Sequence, residues 1–219
     1  MAQVDDDPTY LDELEIGDER KVRRRIEELE AELETLQRGL EDARRAKKIL
    51  CVTDRELDRE VVRFLSEDLH LRAELADTGG EGAPEGSGEA FRLLDDSGEA
   101  WCLGEVRASP DGNVCKEDLA RAIIHRSAAR RQDDDPVLLV VNTYYEGRAV
   151  ESRDHPVPPD MVRRAAEDHV VVARTMDLLR LGQRASNGFP AAEQLAETLR
   201  SGGGWLEVDA SLTATHRTS

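Results

Sequence analysis

Apolar side chains recur along residues 22–50 at intervals that alternate between four and three, and Arg, Glu and Gln fill most positions between them. Such a heptad pattern is typical of a coiled coil. It predicts a coiled-coil helix over residues 19–50 whose apolar stripe, the seam, needs a partner to cover it. The seam positions are Val22, Ile26, Leu29, Leu33, Leu36, Leu40, Ala43, Lys47 and Leu50.

Two partners for the seam are open from the sequence. The chain has no second heptad segment of similar length that could form a hairpin with the first, which favours a parallel homodimer. The alternative is that the helix packs back on its own domain. Gly39 weakens the helix by about 1 kcal/mol relative to alanine, but it does not interrupt the pattern.

After the seam the pattern changes to helices and strands. The stretch "VTDRELDREVVRFLSEDL" predicts a helix, and "AFRLLD" with "AWCLGEVRA" predicts a strand pair joined at Asp96-Ser97-Gly98. Helices and strands alternate from there to a short strand, "WLEV". We therefore expect an α/β domain over residues 51–208, with a mixed sheet flanked by helices.

Three further segments have compositions typical of disorder. They are the acidic start at residues 1–18, the Gly/Pro/Ser/Glu-rich loop at residues 76–88 inside the α/β domain, and the tail at residues 209–219. We expect all three to be flexible.

Charge and cysteine content narrow the class of protein. The formal net charge is −17, so any attraction to a phosphate backbone must come from a local basic patch. Cys51, Cys102 and Cys115 form no close pair and are expected to be reduced. Because the apolar runs are too short to span a bilayer and the acidic start is unlike a signal peptide, we expect a cytoplasmic protein.

Five short motifs follow one another in a meaningful order along the α/β domain. They are "EAF" at 89–91, "GEVRAS" at 104–109, "VVNTYY" at 140–145, "VPPD" at 157–160 and "RTMDLLRL" at 174–181. In this order they resemble the PD-(D/E)XK superfamily, across roughly residues 50–208. The resemblance implies a restriction-endonuclease-like fold and a metal-dependent nuclease site at the end of the strand pair.

The resemblance also implies a role for each residue of that site. An Asp and a Glu hold one or two Mg²⁺ or Mn²⁺ ions, and a Lys two residues after the Glu lies on the same strand face. Glu105 keeps the Glu position, Arg107 takes the Lys position, and Ala90 stands where the Asp is expected. A rearranged ligand set of Asp58, Glu105 and Glu89 is the route by which metal binding would survive.

Nucleic-acid contacts are predicted on two segments. Arg121, Arg126, Arg130 and Arg131 form a cationic end of the helix that follows the strand pair, although such residues also complement a helix dipole. Tyr145 and Arg148 lie in the loop after the central strand, where they could stack on and clamp nucleic acid, or pack within the domain.

Three functions are compatible with these patterns. Ala90 in place of the Asp and Arg107 in place of the Lys are two departures from the family's catalytic residues. They favour a nuclease-fold protein that has lost ordinary catalysis and binds DNA or a protein partner as a homodimer. The second is an active Mg²⁺- or Mn²⁺-dependent DNA endonuclease with a rearranged site. The third is a coiled-coil assembly scaffold without a nucleic-acid role. Whether the protein is an enzyme stays open from the sequence.

Overall fold

The chain divides into two compact units, residues 1–45 and 46–219. The computed structural model describes residues 17–76, 90–110, 112–129, 135–147, 149, 151 and 153–219. Among these residues, no helix combines the length and the apolar character needed to cross a membrane.

Helix α1, Gly17–Ala46, accounts for all the described residues of the first unit. Asp18 and Glu19 lie in its first turn and Arg44 and Arg45 in its last, so both ends complement the helix dipole. None of its side chains is buried. The predicted seam residues Val22 to Leu40 are between 47% and 66% exposed, so the apolar stripe of this helix is uncovered.

The helix ends earlier than the heptad pattern predicts. Lys47–Leu50 form a 3₁₀ turn, and Ile49 and Leu50 are buried in the core of the second unit. The prediction that Leu50 belongs to the seam is therefore wrong. Its spacing from Ala43 satisfies the heptad, but a leucine that follows a seam can equally well enter a neighbouring core.

The second unit is built on one seven-stranded mixed sheet whose strands lie in chain order. Strands β1 to β3 are antiparallel, β3 to β6 are parallel, and β7 is antiparallel to β6. The predicted α/β fold with a mixed, helix-flanked sheet is confirmed. The strands are β1 Ala73–Leu75, β2 Phe91–Leu94, β3 Ala100–Ser109, β4 Val137–Thr143, β5 Val170–Arg174, β6 Gly204–Val208 and β7 Ala214–Arg217.

Helices cover both faces of this sheet. Helix α2, Asp54–Arg63, continues into a π-helical turn, Phe64–Asp68, and packs on one face together with α5, Thr175–Ser186, and α6, Ala191–Ser201. Helices α3, Lys116–Ala128, and α4, Pro159–Glu167, pack on the other face. The alternation of side chains along β3 thus sends its odd-numbered residues toward α3.

The C-terminal segment differs from its prediction. Ala214–Arg217 pairs with β6, and Asp209 caps the connecting turn by accepting hydrogen bonds from the backbone of Ser211 and Thr213 at 2.9 Å each. A strand replaces the disordered tail predicted for residues 209–219. The predicted loop at 76–88 lies outside the described residues from residue 77 onward, and the predicted acidic segment does so up to residue 16.

Candidate functional site

The first strand of the hairpin brings Ala90 beside Glu105. Phe91 pairs with Gly104 in the antiparallel ladder, and the N–H of Ala90 donates to the carbonyl of Gly104 at 2.8 Å. The position at which the resemblance expects an Asp therefore lies next to the retained Glu. Its methyl side chain offers no ligand atom.

Glu105 and Arg107 lie on the same face of β3, because side chains two residues apart on a strand point to the same side of the sheet. Both meet α3. Oε2 of Glu105 is 2.6 Å from Nδ1 of His125, and Nε of Arg107 is 3.5 Å from Oδ1 of Asp118. Glu105 is only 5% exposed, so its carboxylate is enclosed with the imidazole that it contacts.

Helix α3 is positioned so that its side chains Asp118 and His125 reach β3. Its N-terminus is capped by Asp118, whose carboxylate accepts the backbone N–H of Cys115 at 3.0 Å and the thiol at 3.1 Å. Asp118 and His125 are seven residues apart, which is two helical turns, so they share one face of α3. The local capping of α3 therefore sets the partners of both Glu105 and Arg107.

Asp58, on α2, is electrostatically coupled to the same residues. The pKa of its carboxyl is raised to about 6, mainly by burial and next by the charge of Glu105, whereas the charges of Arg55 and Arg107 oppose the shift. The charge of Glu105 thus acts on the carboxyl of Asp58 and disfavours its ionisation.

The described residues do not fit a Mg²⁺ or Mn²⁺ ion. These cations need several oxygen ligands, yet no group of three or more His, Cys, Asp or Glu side chains in the described part of the chain could hold a metal. Ala90 supplies no ligand, and an oxygen of Glu105 is engaged by His125. Glu89, the third member of the predicted rearranged set, lies outside the described residues.

The predicted cationic strip on α3 is only partly present. Arg121 is exposed, as predicted. Arg126 is 4% exposed and donates to the carbonyls of Asp168 at 2.9 Å and Asp135 at 3.3 Å, so its predicted place on an exposed strip is wrong. Its guanidinium ties the end of α3 to neighbouring backbone. Arg130 and Arg131 lie outside the described residues.

The loop after β4 is fixed largely through its backbone. Tyr145 donates its N–H to the carbonyl of Ser109 at 3.2 Å, and its own carbonyl accepts a hydrogen bond of 2.5 Å from Arg153. Arg153 also donates to the carbonyls of Gly147 and Leu50. The side chain of Tyr145 is half-buried. Arg148 lies outside the described residues.

In two of the motifs that resemble the nuclease family, a polar residue forms buried hydrogen bonds that the sequence did not reveal. The first of these residues is Asp177. Asp177 is fully buried and accepts hydrogen bonds from Arg174 at 2.7 and 2.8 Å, from Trp205 Nε1 at 3.0 Å and from the N–H of Val208 at 3.1 Å. A carboxylate with so many donors stabilises the junction of β5, α5 and β6.

Asn142 plays a comparable role at the end of β4. Its amide donates to the carbonyls of Leu50 and Val52 at 3.3 and 3.2 Å, and its oxygen accepts from the hydroxyl of Thr175 at 3.0 Å. These bonds hold the segment between the 3₁₀ turn and α2 against the sheet. The asparagine of "VVNTYY" is therefore a structural residue in this chain.

No protein-family model matches the sequence. No curated protein matches it either. The structure is similar to that of the restriction endonuclease FokI, with a TM-score of 0.44 and 11% sequence identity, over 72% of this chain and 30% of the FokI chain.

Proposed function

We propose that this protein is a nuclease-fold, DNA-associated homodimer whose metal-dependent catalytic site has been replaced by internal ion pairs. The order of its motifs and of its strands supports a restriction-endonuclease-like ancestry. In the proposed state the second unit binds DNA without cleaving it, and α1 joins two copies.

One observation carries the proposal: the buried contact of 2.6 Å between Glu105 and His125. A carboxylate that binds a divalent cation needs a free oxygen, and Mg²⁺ sites in proteins use one or two carboxylates together with water and phosphate oxygens. Here the neighbouring position is Ala90 and the imidazole of α3 takes the place of the cation. Arg107 cannot replace a proton-transferring lysine, because a guanidinium stays charged.

DNA association is supported by what remains exposed near this site. Arg121 on α3 and the half-buried ring of Tyr145 offer a cation and an aromatic surface. The net charge of −17 opposes non-specific binding, so affinity must depend on a small number of local contacts. Two copies in one dimer increase the effective affinity of such weak contacts.

The second candidate function is an active Mg²⁺- or Mn²⁺-dependent DNA endonuclease. The observation in its favour is that the charge of Glu105 helps to raise the pKa of Asp58, since a carboxyl group that lies near a second carboxylate is a place where a cation would be stabilised. This candidate requires His125 to release Glu105 when the metal binds.

A cleavage assay distinguishes the two functions. Single- and double-stranded DNA are incubated with the full-length protein and Mg²⁺ or Mn²⁺, at low and molar salt, with Glu105→Ala as the control. We expect no cleavage above the control. Cleavage that disappears in Glu105→Ala would overturn the proposal and establish the second candidate.

A binding assay tests the DNA-associated role directly. Fluorescence anisotropy with labelled duplex DNA should show an affinity that weakens as salt increases and that Arg121→Glu reduces. Arg24→Glu, which makes the same charge change on α1, is the matched control and should have a smaller effect. Absence of binding at low salt would leave only the scaffold role.

A further inference from the structure

The uncovered face of α1 carries charges that flank its apolar stripe in a defined order. With Ile26, Leu33 and Leu40 at the a positions of the heptad, Val22, Leu29 and Leu36 take the d positions. The residues next to the seam are then Arg23, Glu30, Gln37 and Arg44 at e, and Asp18, Arg25, Glu32 and Gly39 at g.

A parallel, in-register pair of these helices brings each g residue against the following e residue of the other copy. Asp18 then meets Arg23, and Arg25 meets Glu30, so two kinds of opposite-charge pair form, each twice in the dimer. Further along the helix, Glu32 meets Gln37 and Gly39 meets Arg44. Within α1 this arrangement contains no like-charge pair, and every exposed seam residue lies opposite its own copy. Lys47 also lies opposite its own copy, but it follows the end of α1.

Antiparallel arrangements place e residues against e residues and g residues against g residues, so the charges that meet depend on the register. In the register that pairs Val22 with Leu40, Arg23 faces Arg44 and Glu32 faces Glu32 of the other copy. Like charges then flank the seam on both sides.

A second antiparallel register pairs Leu33 with Leu36 and avoids those repulsions. It leaves Val22 opposite Lys47, which follows the end of α1 and lies in the 3₁₀ turn. An apolar residue near the N-terminal end of the helix would then remain uncovered. Of these registers, only the parallel one places every apolar seam residue of α1 opposite an apolar residue and also brings opposite charges together.

The exposed ion pairs within α1 do not prevent these contacts. Arg23 contacts Glu19 at 3.1 Å and Arg25 contacts Glu28 at 3.0 Å, and all four side chains are at least 41% exposed. Such exposed pairs contribute little, so the arginines can turn toward, or be shared with, an acidic residue of a second helix.

We propose that the partner of α1 is a second copy of the same helix, parallel and in register, with the Asp18–Arg23 and Arg25–Glu30 pairs selecting this register. The inference rests on the proposed homodimer and specifies its geometry. Because both helices run in the same direction, both chains leave the coiled coil at the same end, where each continues into its second unit.

Disulfide crosslinking tests the direction of the helices. In a background where the exposed Cys51 and Cys115 are replaced by serine, Leu40→Cys is oxidised and analysed by non-reducing electrophoresis. Position 40 lies next to its own copy only in the parallel register, so we expect a covalent dimer. Glu41→Cys, on the outer face, is the matched control and should remain monomeric on the gel.

A charge-swap series tests the register without a cysteine. Arg25→Glu and Glu30→Arg each place like charges together and should weaken dimerisation by about tenfold. The double variant restores opposite charges and should recover most of the affinity. Arg24→Glu, on the outer face of the same turn, controls for the change in net charge.

The mass of the protein in solution separates the possible failures. A monomer at micromolar concentration would overturn the homodimer and, with it, this inference. A dimer in which Leu40→Cys does not crosslink and the double variant does not recover would overturn the parallel register while leaving the homodimer intact.

Discussion

At the scale of single residues, the contact between Glu105 and His125 is the feature that most distinguishes this site from a metal site. Truncation of one partner leaves the other buried without its hydrogen bond. We therefore expect His125→Ala to lower the free energy of unfolding by about 2 kcal/mol. Urea denaturation at fixed protein concentration measures the change.

A double-mutant cycle shows whether that loss belongs to the pair. Glu105→Ala together with His125→Ala removes both partners. The double variant should therefore lower the free energy of unfolding by clearly less than the sum of the losses in the two single variants. Additive losses would mean that the two side chains do not stabilise each other. The internal ion pair proposed in place of a metal would then lose its support.

Asp58 makes stability depend on pH in the opposite sense to a salt-bridged carboxylate. Its pKa is about 6 in the folded protein against an ordinary value of 3.8. Between these two values the unfolded state releases its proton first, so ionisation favours unfolding and stability falls as the pH rises. Above about pH 6 the loss is complete, and below 3.8 both states are protonated and the effect vanishes.

Asp58→Asn removes this ionisation while keeping the shape of the side chain. Because Asp58 is partly open to solvent, we expect the variant to be more stable than the natural protein by about 1 kcal/mol at pH 8 and nearly equal to it at pH 4. Chemical denaturation at the two pH values measures the difference.

At the scale of secondary-structure elements, the pairing of β2 with β3 depends on a glycine. A methyl group added to Gly104 would lie 2.3 Å from ring atoms of Phe91, which is fully buried. We expect Gly104→Ala to destabilise the second unit by about 2 kcal/mol, because the fully buried ring must shift within the core to admit the methyl group. Thermal or urea denaturation measures the loss.

A glycine-to-alanine substitution on α1 should have the opposite effect and increase stability. No atom lies within 4 Å of a methyl group added to Gly39, so Gly39→Ala removes only the conformational freedom that weakens a helix. We expect about 1 kcal/mol of additional helix stability, visible as greater helical content of the full-length chain on heating. A gain at position 104 would show that Phe91 can move away from β3.

The elements that the sequence predicted well are those with a strong local pattern. The heptads predict α1, and short apolar runs that alternate with helical segments predict the sheet, since both patterns are set by residues close in the chain. The end of α1 was misplaced because Leu50 fits the heptad and the core equally well. Strand β7 was missed because its residues are exposed alternately, and its pairing with β6 is visible only in three dimensions.

In the candidate site, too, the residues linked by local spacing were predicted and those brought together by the fold were not. Glu105 and Arg107 were found because they are two residues apart on one strand. Their partners His125 and Asp118 lie on a helix that returns to β3 only after the fold forms, so no spacing in the sequence links them. Arg126 was predicted to be exposed because an arginine at a helix end usually is, yet carbonyl oxygens of two neighbouring segments surround it.

At the scale of the whole molecule, the proposed function gives each of the two units a separate role. The second unit contributes the candidate DNA contacts, whereas no side chain of α1 is buried. In the proposed homodimer, its apolar stripe serves association. A strongly acidic protein gains most from such an arrangement, because two weak local contacts on one DNA molecule offset the average repulsion better than one.

A variant of the seam tests this division. Leu29→Glu with Leu36→Glu places two charges in the stripe and should convert the dimer to a monomer, as sedimentation or light scattering would show. The unfolding free energy of the second unit should change by less than about 0.5 kcal/mol, since neither leucine is buried in the isolated chain. Affinity for a long DNA duplex should fall by at least about tenfold, because bivalent binding is lost.

The matched control adds the same charge to the outer face of the helix. Ala31→Glu with Thr35→Glu should leave both the mass and the DNA affinity close to those of the natural protein. If the seam variant becomes monomeric and yet binds DNA as tightly as this control, the two units do not cooperate in recognition. The coiled coil would then serve another association, and a single copy of the second unit would suffice for DNA.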